Sequence, residues 1–251
     1  MEKEKDFTMS VRRARTAVLC ALLLACGGAN TASSSSSSSV SAEARAHDGP
    51  EAGHKHHRHH QHRFDDAAGW SKVFDDPARD EWQKPARVVE VMELAPGMTV
   101  ADVGAGTGYF APHLSRAVGP SGKVIAEDVE PDMVKWIGER AKRESLGNVE
   151  AILGANDDPR LPAGSVDRIV VVDTWHHVED RPAFAKKLAA ALKPGGAVLV
   201  VDFTMDAPHG PPKSARIAPE AVAADLTAAG LSSEVVSGAG LPHQYVVRGK
   251  R

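Results

Sequence analysis

Asp102-Val103-Gly104-Ala105-Gly106-Thr107-Gly108 is the segment of this chain whose residue types best suit holding a ligand. Its glycines alternate behind an acid, and glycine tolerates the positive φ that lets backbone approach a bound molecule closely. A dinucleotide fingerprint would want its third glycine at position 109, which is Tyr109, so a pyrophosphate is a poor match. Loop and carboxylate together suit an amino-acid end, its ammonium beside Asp102. Twenty residues beyond Gly108 stands Asp128, where a carboxylate can accept hydrogen bonds from both hydroxyls of a ribose. Glu127 is the neighbouring alternative. Strand alternation turns these two acids to opposite faces, so only one should serve.

These residues need a frame that puts them on one edge. From about Phe64 onward, short β-branched runs alternate with helical patterns. The expected strands are Thr99–Val103, Lys123–Val129, Val149–Leu153, Arg168–Val172 and Ala197–Phe203, closed by Leu231–Val236 and Gln244–Arg248. Helices are expected near Phe110–Val118, Asp132–Leu146, Pro182–Leu192 and Pro219–Ala229. Continuous apolar strands such as Ile169-Val170-Val171-Val172, separated by helices, indicate a parallel sheet covered on both faces. The fold class is a doubly wound α/β domain, and such sheets bind ligands at the carboxyl ends of their strands. The glycine loop and Asp128 both fall there.

The chain has 251 residues, 42% hydrophobic and 25% charged, with a formal net charge of -3. That supports one domain with attachments and argues against a nucleic-acid surface, since Lys and Arg do not dominate. Both cysteines, Cys20 and Cys26, precede the domain. Disulfides, thiolate zinc sites and cysteine nucleophiles are therefore excluded from the domain itself.

The N-terminal residues carry an address. Arg12, Arg13 and Arg15 precede the apolar run Thr16 to Ala25. Ten helical residues rise about 15 Å, half of a hydrocarbon core of roughly 30 Å, so the run is a signal-peptide core and not a span. Leu23-Leu24-Ala25-Cys26-Gly27 resembles a bacterial lipobox, although Leu24 is bulkier than usual. The resemblance implies a signal peptide over 1–25, a lipidated Cys26 as mature N-terminus, and membrane anchoring, with Gly27 favouring the outer membrane and a periplasmic location. Residues 26–63 read as a disordered linker holding the serine tract Ser33 to Ser39 and then His54, His56, His57, His59, His60 and His62. Those imidazoles can bind transition-metal ions without fixed geometry, although a solvated, pH-sensitive linker is the preferred reading. Residues 64–251 form the domain.

With the glycine loop, Asp128, Leu161-Pro162-Ala163-Gly164-Ser165-Val166-Asp167 and Leu192-Lys193-Pro194-Gly195-Gly196 in hand, the stretch from Lys84 to Arg248 resembles the class I S-adenosylmethionine-dependent methyltransferases. The similar subgroup is that of ubiquinone/menaquinone biosynthesis. The resemblance implies a Rossmann-like, mainly parallel seven-stranded sheet with the last strand antiparallel, and S-adenosyl-L-methionine as cofactor. It implies cofactor contacts from Asp102, Gly104, Ala105, Gly106, Gly108 and Asp128. The family usually has Gly-Asp after the third strand, its acid on the adenine amino group. Here the sequence reads Gly154-Ala155-Asn156-Asp157, so Asn156 or Asp157 is the candidate for that contact.

Methyl transfer from a sulfonium asks the protein mainly for alignment and desolvation. A base is needed only where the nucleophile must lose a proton. Asp173-Thr174-Trp175-His176-His177 follows the fourth strand, and His176 or His177 has a suitable intrinsic pKa for that task, with helix capping or backbone bonding as the competing role. Asp173 is the third catalytic candidate. A metal-assisted O-methyltransferase is an alternative in which Asp173 and Asp202 share Mg²⁺ with waters, although Phe203 stands where that group has asparagine. No metal is otherwise expected. The stretch Thr204 to Ala218 is short, so acceptor recognition is assigned to Trp70, Phe74 and Trp82, and the acceptor to a small apolar or aromatic molecule. A scaffold lipoprotein that keeps the fold without turnover is the competing class, since export removes a protein from where the cofactor is made. The oligomeric state is left open.

Overall fold

The computed structural model describes Phe64 and residues 66–251. The expected signal segment, the lipidated Cys26 and the Ser/His-rich linker lie outside the described residues. Among the described residues no helix is long and apolar enough to cross a membrane.

The chain opens with three short helices, α1 (Ala67–Phe74), α2 (Arg79–Gln83) and α3 (Pro85–Val91). Then come β1 (Thr99–Val103), α4 (Ala111–Val118), β2 (Lys123–Asp128), α5 (Pro131–Arg143), β3 (Val149–Leu153), β4 (Val166–Val172), α6 (Arg181–Ala191) and β5 (Leu192–Phe203). It closes with α7 (Pro219–Ala228), β6 (Ser232–Val235) and β7 (Gln244–Lys250). The seven strands lie in the order β3-β2-β1-β4-β5-β7-β6. Strands β1 to β5 are parallel, and β7 runs antiparallel to both of its neighbours. The order reverses beside β1, which is the switch point where an open α/β sheet leaves a crevice.

Side-chain alternation builds two cores. Ala101, Val103, Ile169, Val171, Val198 and Val200 face Phe184, Leu188, Val222 and Leu226 of α6 and α7. Their neighbours Val100, Val124, Val170, Val172, Leu199 and Val201 face Val88, Val91, Leu114 and Val118 of α3 and α4. The β-branched run therefore supplies both faces, as expected of a strand buried on each side. Helix starts follow local chemistry: proline lies in the first turn of α3, α4, α5, α6 and α7, where its missing N–H costs nothing. Asp66 and Asp180 cap α1 and α6 by accepting the Gly69 and Ala183 N–H groups.

Several expectations shift, β4 beginning at Val166 and not at Arg168. Strand β5 starts at Leu192, because Leu192 pairs with Val166 before the register slips and resumes at Ala197. Trp175 sits within the candidate catalytic segment, yet it belongs to the core. It is fully buried, with its ring edge-on to Phe184 and its indole N–H toward Asp225 at 3.4 Å. Trp175→Ala should lower stability by about 3–5 kcal/mol. Urea unfolding followed by circular dichroism measures it, and an unchanged midpoint would place the indole outside the core.

Candidate active site

The glycine loop leaves β1 in a conformation that side chains resist. Gly104, Gly106 and Gly108 have φ of 73°, 57° and 75°. At Gly104 the need is steric as well, because a Cβ there would lie 2.4 Å from the Thr174 methyl. Thr174 accordingly ties the loop to the end of β4, its Oγ1 donating to Val172 O at 2.9 Å and lying 3.3 Å from Gly104 O. On the other side β2 delivers both of its acids. Gly106 N donates to Asp128 Oδ2 at 2.8 Å, and Glu130 N to Asp128 Oδ1 at 2.9 Å. Gly104 N donates to Glu127 Oε2 at 3.3 Å. The Val129 N–H also points to this carboxylate, and since an ionised carboxylate has about four lone-pair positions, Asp128 keeps some accepting capacity for another donor. Glu127 turns under Gly154, where a side chain would collide with its Oε1.

Burial at this edge leaves negative charge poorly solvated. Among the described residues, Asp102 Oδ2 and Glu127 Oε1 are buried without a hydrogen-bond partner. Burial pushes the Asp102 carboxyl up to about 7 against the pull of Arg79, and Glu127 up to about 8, with Asp128 adding repulsion. Asp128 is raised too, by burial, although the loop N–H groups oppose the shift. Asp173 reaches about 7, again by burial and against Arg79.

Asp173 is placed in a closed ring of four side chains. Arg79 donates to Asp173 Oδ2 at 3.2 Å and to Gln83 Oε1 at 3.0 Å. Gln83 donates to Gln244 at 2.8 Å, and Gln244 returns to Asp173 Oδ1 at 2.5 Å. The ring joins α2, the end of β4 and the start of β7. Asp173 itself adopts a φ of 53°, rare for a residue with a side chain. Asp202, its suggested partner for Mg²⁺, is engaged elsewhere: its carboxylate lies 2.9 and 3.1 Å from His176 Nδ1 and accepts Phe203 N at 2.8 Å. Among the described residues no group of three or more His, Cys, Asp or Glu is arranged to hold a metal ion. His177 is exposed, its ring 4.2 Å from that of His176 and edge-on to Phe64. Asn156 and Asp157 are exposed in the turn bridging Ala155 and Asp158, and Asp157 lies 3.4 Å from Lys187.

Helices α1 and α2 roof this edge. Phe64, Trp70 and Phe74 form one aromatic cluster, and Phe74 lies 3.4 Å from where a Gly106 side chain would begin. Thr107 Oγ1 donates to Asp75, which Arg140 of α5 also holds at 2.8 Å. The Tyr109 hydroxyl meets Asp80, and the Arg79 guanidinium lies 4.2 Å from the Tyr109 ring. Trp82 packs apart from that cluster, on Phe203 and His209. The segment after β5 packs at this edge as well. Arg216 gathers the carbonyls of Thr204, Met205, Ala207, His209 and Pro211, folding the loop so that the His209 ring packs at a tilt against Trp82.

Residues 100–196 match the family model described as a methyltransferase domain. The chain is 32% identical over 136 residues to the nocamycin O-methyltransferase of Saccharothrix syringae, which covers 54% of this chain and 48% of that protein. It is 31% identical over 118 residues to the ubiquinone/menaquinone biosynthesis C-methyltransferase UbiE of Shewanella sp. (strain ANA-3), 46% of this chain and 47% of that one. The chain thus spans about half the length of these curated relatives. A crystal structure of a SAM-dependent methyltransferase from Aquifex aeolicus superposes with a TM-score of 0.68 at 32% identity, covering 74% of this chain and 98% of that one.

Because the raised carboxyls bind protons more tightly folded than unfolded, folding takes up protons between roughly pH 4 and 8. The cofactor-free protein should therefore lose stability as pH rises through that window, by at most about 1.4 kcal/mol per unit for each such group. Thermal unfolding at pH 5, 6, 7 and 8 measures it, and a midpoint that rises steadily with pH would contradict the burial of these acids.

Proposed function

This chain belongs to the class I S-adenosylmethionine-dependent methyltransferases, and on that ground we propose that it moves a methyl group to a small apolar or aromatic acceptor. The observation that carries the reading is Asp102: a buried carboxylate oxygen without a partner, beneath a loop of bare backbone, suits a ligand that brings its own cationic donor. The residues present fit S-adenosylmethionine. Asp102 and the loop from Gly104 to Gly108 would take the amino-acid end. Asp128 would accept from the ribose hydroxyls with its remaining accepting capacity. Val129 and Leu153, exposed apolar side chains at the ends of β2 and β3, offer a surface for the adenine, with Asn156 or Asp157 near its amino group.

When bound, the cofactor supplies a methyl carbon already activated by a sulfonium. The chain's own work is to align the acceptor and exclude water. The aromatic cluster of Phe64, Trp70 and Phe74 would shut solvent from the loop. Asp173, tied to Arg79, Gln83 and Gln244, would fix α2 against the strand ends. His176, paired with Asp202, is the candidate for handling a proton. We also propose that residues 1–25 direct export and that Cys26 anchors the domain to the outer membrane through the 26–63 linker. The support for export is sequence pattern alone: a basic cluster, a short apolar core and a lipobox-like end.

Calorimetry with S-adenosylhomocysteine tests the cofactor reading. The wild type should bind, and Asp128→Ala should weaken binding tenfold or more, in line with about 1.5–3 kcal/mol for hydrogen bonds to a charged group. Asp128→Asn, which keeps an acceptor for Gly106 N, should fold and still bind weakly. No binding by the wild type at millimolar ligand, or full affinity in Asp128→Ala, would overturn it.

A further inference from the structure

We propose that residues 66–83, which carry α1 and α2, form a hinged flap over the glycine loop, latched by Asp75, and that its opening governs how fast the cofactor enters and leaves. This rests on the methyltransferase reading above and concerns the regulation of that same site.

The groups assigned to the cofactor are covered. Asp102 and Thr107 are 2% and 1% exposed, Asp128 and Tyr109 are each 8% exposed, and Asp102 Oδ2 is out of reach of water. A solute meets such groups only after something moves. The element that overlies them is the flap. Phe74 lies 3.4 Å from where a Gly106 side chain would begin, Asp75 holds Thr107, Asp80 meets the Tyr109 hydroxyl, and Arg79 reaches Asp173.

Hydrophobic burial ties the flap down weakly. Among the described residues both cores draw their side chains from Val88 onward, and between Asp66 and Gln83 only Ala67 and Gln83 are buried. Helices of eight and five residues have little stability of their own. Segments with few buried apolar contacts open at a fraction of the cost of global unfolding. The boundary of this segment is sharp. Exposed Lys84, at a φ of 49°, separates α2 from α3, and α3 is pinned in the core by Val88 and Val91. A pivot at Lys84 moves α1 and α2 and leaves both cores intact.

Polar contacts supply the hold instead. Gln83 donates to Gln244 and Trp82 packs on Phe203, next to the pivot in the chain. Asp75 secures the other helix. Its Oδ1 accepts from Thr107 Oγ1 at 2.9 Å and from Arg140 of α5 at 2.8 Å, and Arg140 also donates to Thr107 O at 3.2 Å. Both charged side chains are half-buried, where water screens a pair less than at the surface. Asp75 is not among the groups assigned to the cofactor, so weakening it acts on the free and the loaded protein alike. Such a change alters rates and leaves affinity in place.

Stopped-flow fluorescence of the full chain mixed with S-adenosylhomocysteine tests this, with Trp70 and Trp82 on the flap as reporters. Asp75→Asn keeps an acceptor for Thr107 and removes the charge facing Arg140. It should speed association and dissociation alike, each about tenfold, with the dissociation constant unchanged within about twofold. Unchanged rates would overturn the latch. Faster dissociation with affinity lost in proportion would overturn it too, since Asp75 would then support the bound ligand. Hydrogen exchange of the wild type gives a second measurement should the variant fail to fold. Amides of α1 and α2 should exchange about a hundredfold faster than those of β1 and β4, and S-adenosylhomocysteine should slow them. Exchange of the helices in step with the two strands would overturn the flap while leaving the cofactor reading in place. A wild type that binds no S-adenosylhomocysteine, its helices still exchanging fast, would remove the methyltransferase reading and with it the flap's role as an entrance.

Discussion

Carboxylates crowded at the ends of buried strands dominate this molecule. Asp102, Glu127, Asp128, Asp173 and Asp202 all lie where the sheet's carboxyl edge meets the loops, and all are taken largely out of water. Burying an ionised group without compensation costs several kcal/mol, so each acid must find donors, a cation or a proton. Asp128 finds the glycine loop, Asp202 finds His176, and Asp173 finds Arg79 and Gln244. Asp102 is left with the distant field of Arg79 and an orphaned oxygen. That residual imbalance gives a positively charged ligand a reason to bind at this end of the sheet.

The N-terminal helices are held by the same charges. Arg79 is the cation that both Asp102 and Asp173 feel, and it hangs from a helix of five residues that could not be stable alone. Its contacts with Asp173, Gln83, the Phe74 carbonyl and the Tyr109 ring anchor α2, while Asp75 and Asp80 reach across to Thr107 and Tyr109 beside the glycine loop. The aromatic roof therefore has its position set by polar contacts at the strand ends. Hydrophobic packing fills it in. Beyond β5 Arg216 plays a comparable part by organising the following loop around its guanidinium.

Much of this was legible in the chain. The glycine spacing and the apolar runs located β1 and β4 and the edge that matters, since period and turn chemistry are local properties. The start of β5 was misjudged, because the pairing of Leu192 with Val166 is a tertiary event that Lys193-Pro194-Gly195-Gly196 disguises as a plain turn. The short helices α1 to α3 went unread for the same reason: five to eight residues carry too little periodicity. Strand alternation foresaw two differently placed acids in Glu127 and Asp128, but not that both would reach N–H groups of the same loop. Gln83 and Gln244 are separated by 161 positions, and nothing in their surroundings marks them as partners. Asp202 could be seen only as an acid after a strand; its partnership with His176 depends on the register of β4 against β5.

The claim at the centre is that a cationic ligand completes the unbalanced acids around Asp102, and proton exchange on binding reads this directly. Titration with S-adenosylmethionine at pH 7, in buffers of differing ionisation enthalpy, gives the number of protons exchanged. With the Asp102 carboxyl near 7 in the free protein, its pKa should fall as the ligand's ammonium arrives, releasing up to about half a proton. Binding with no exchange, or with proton uptake, would contradict the account.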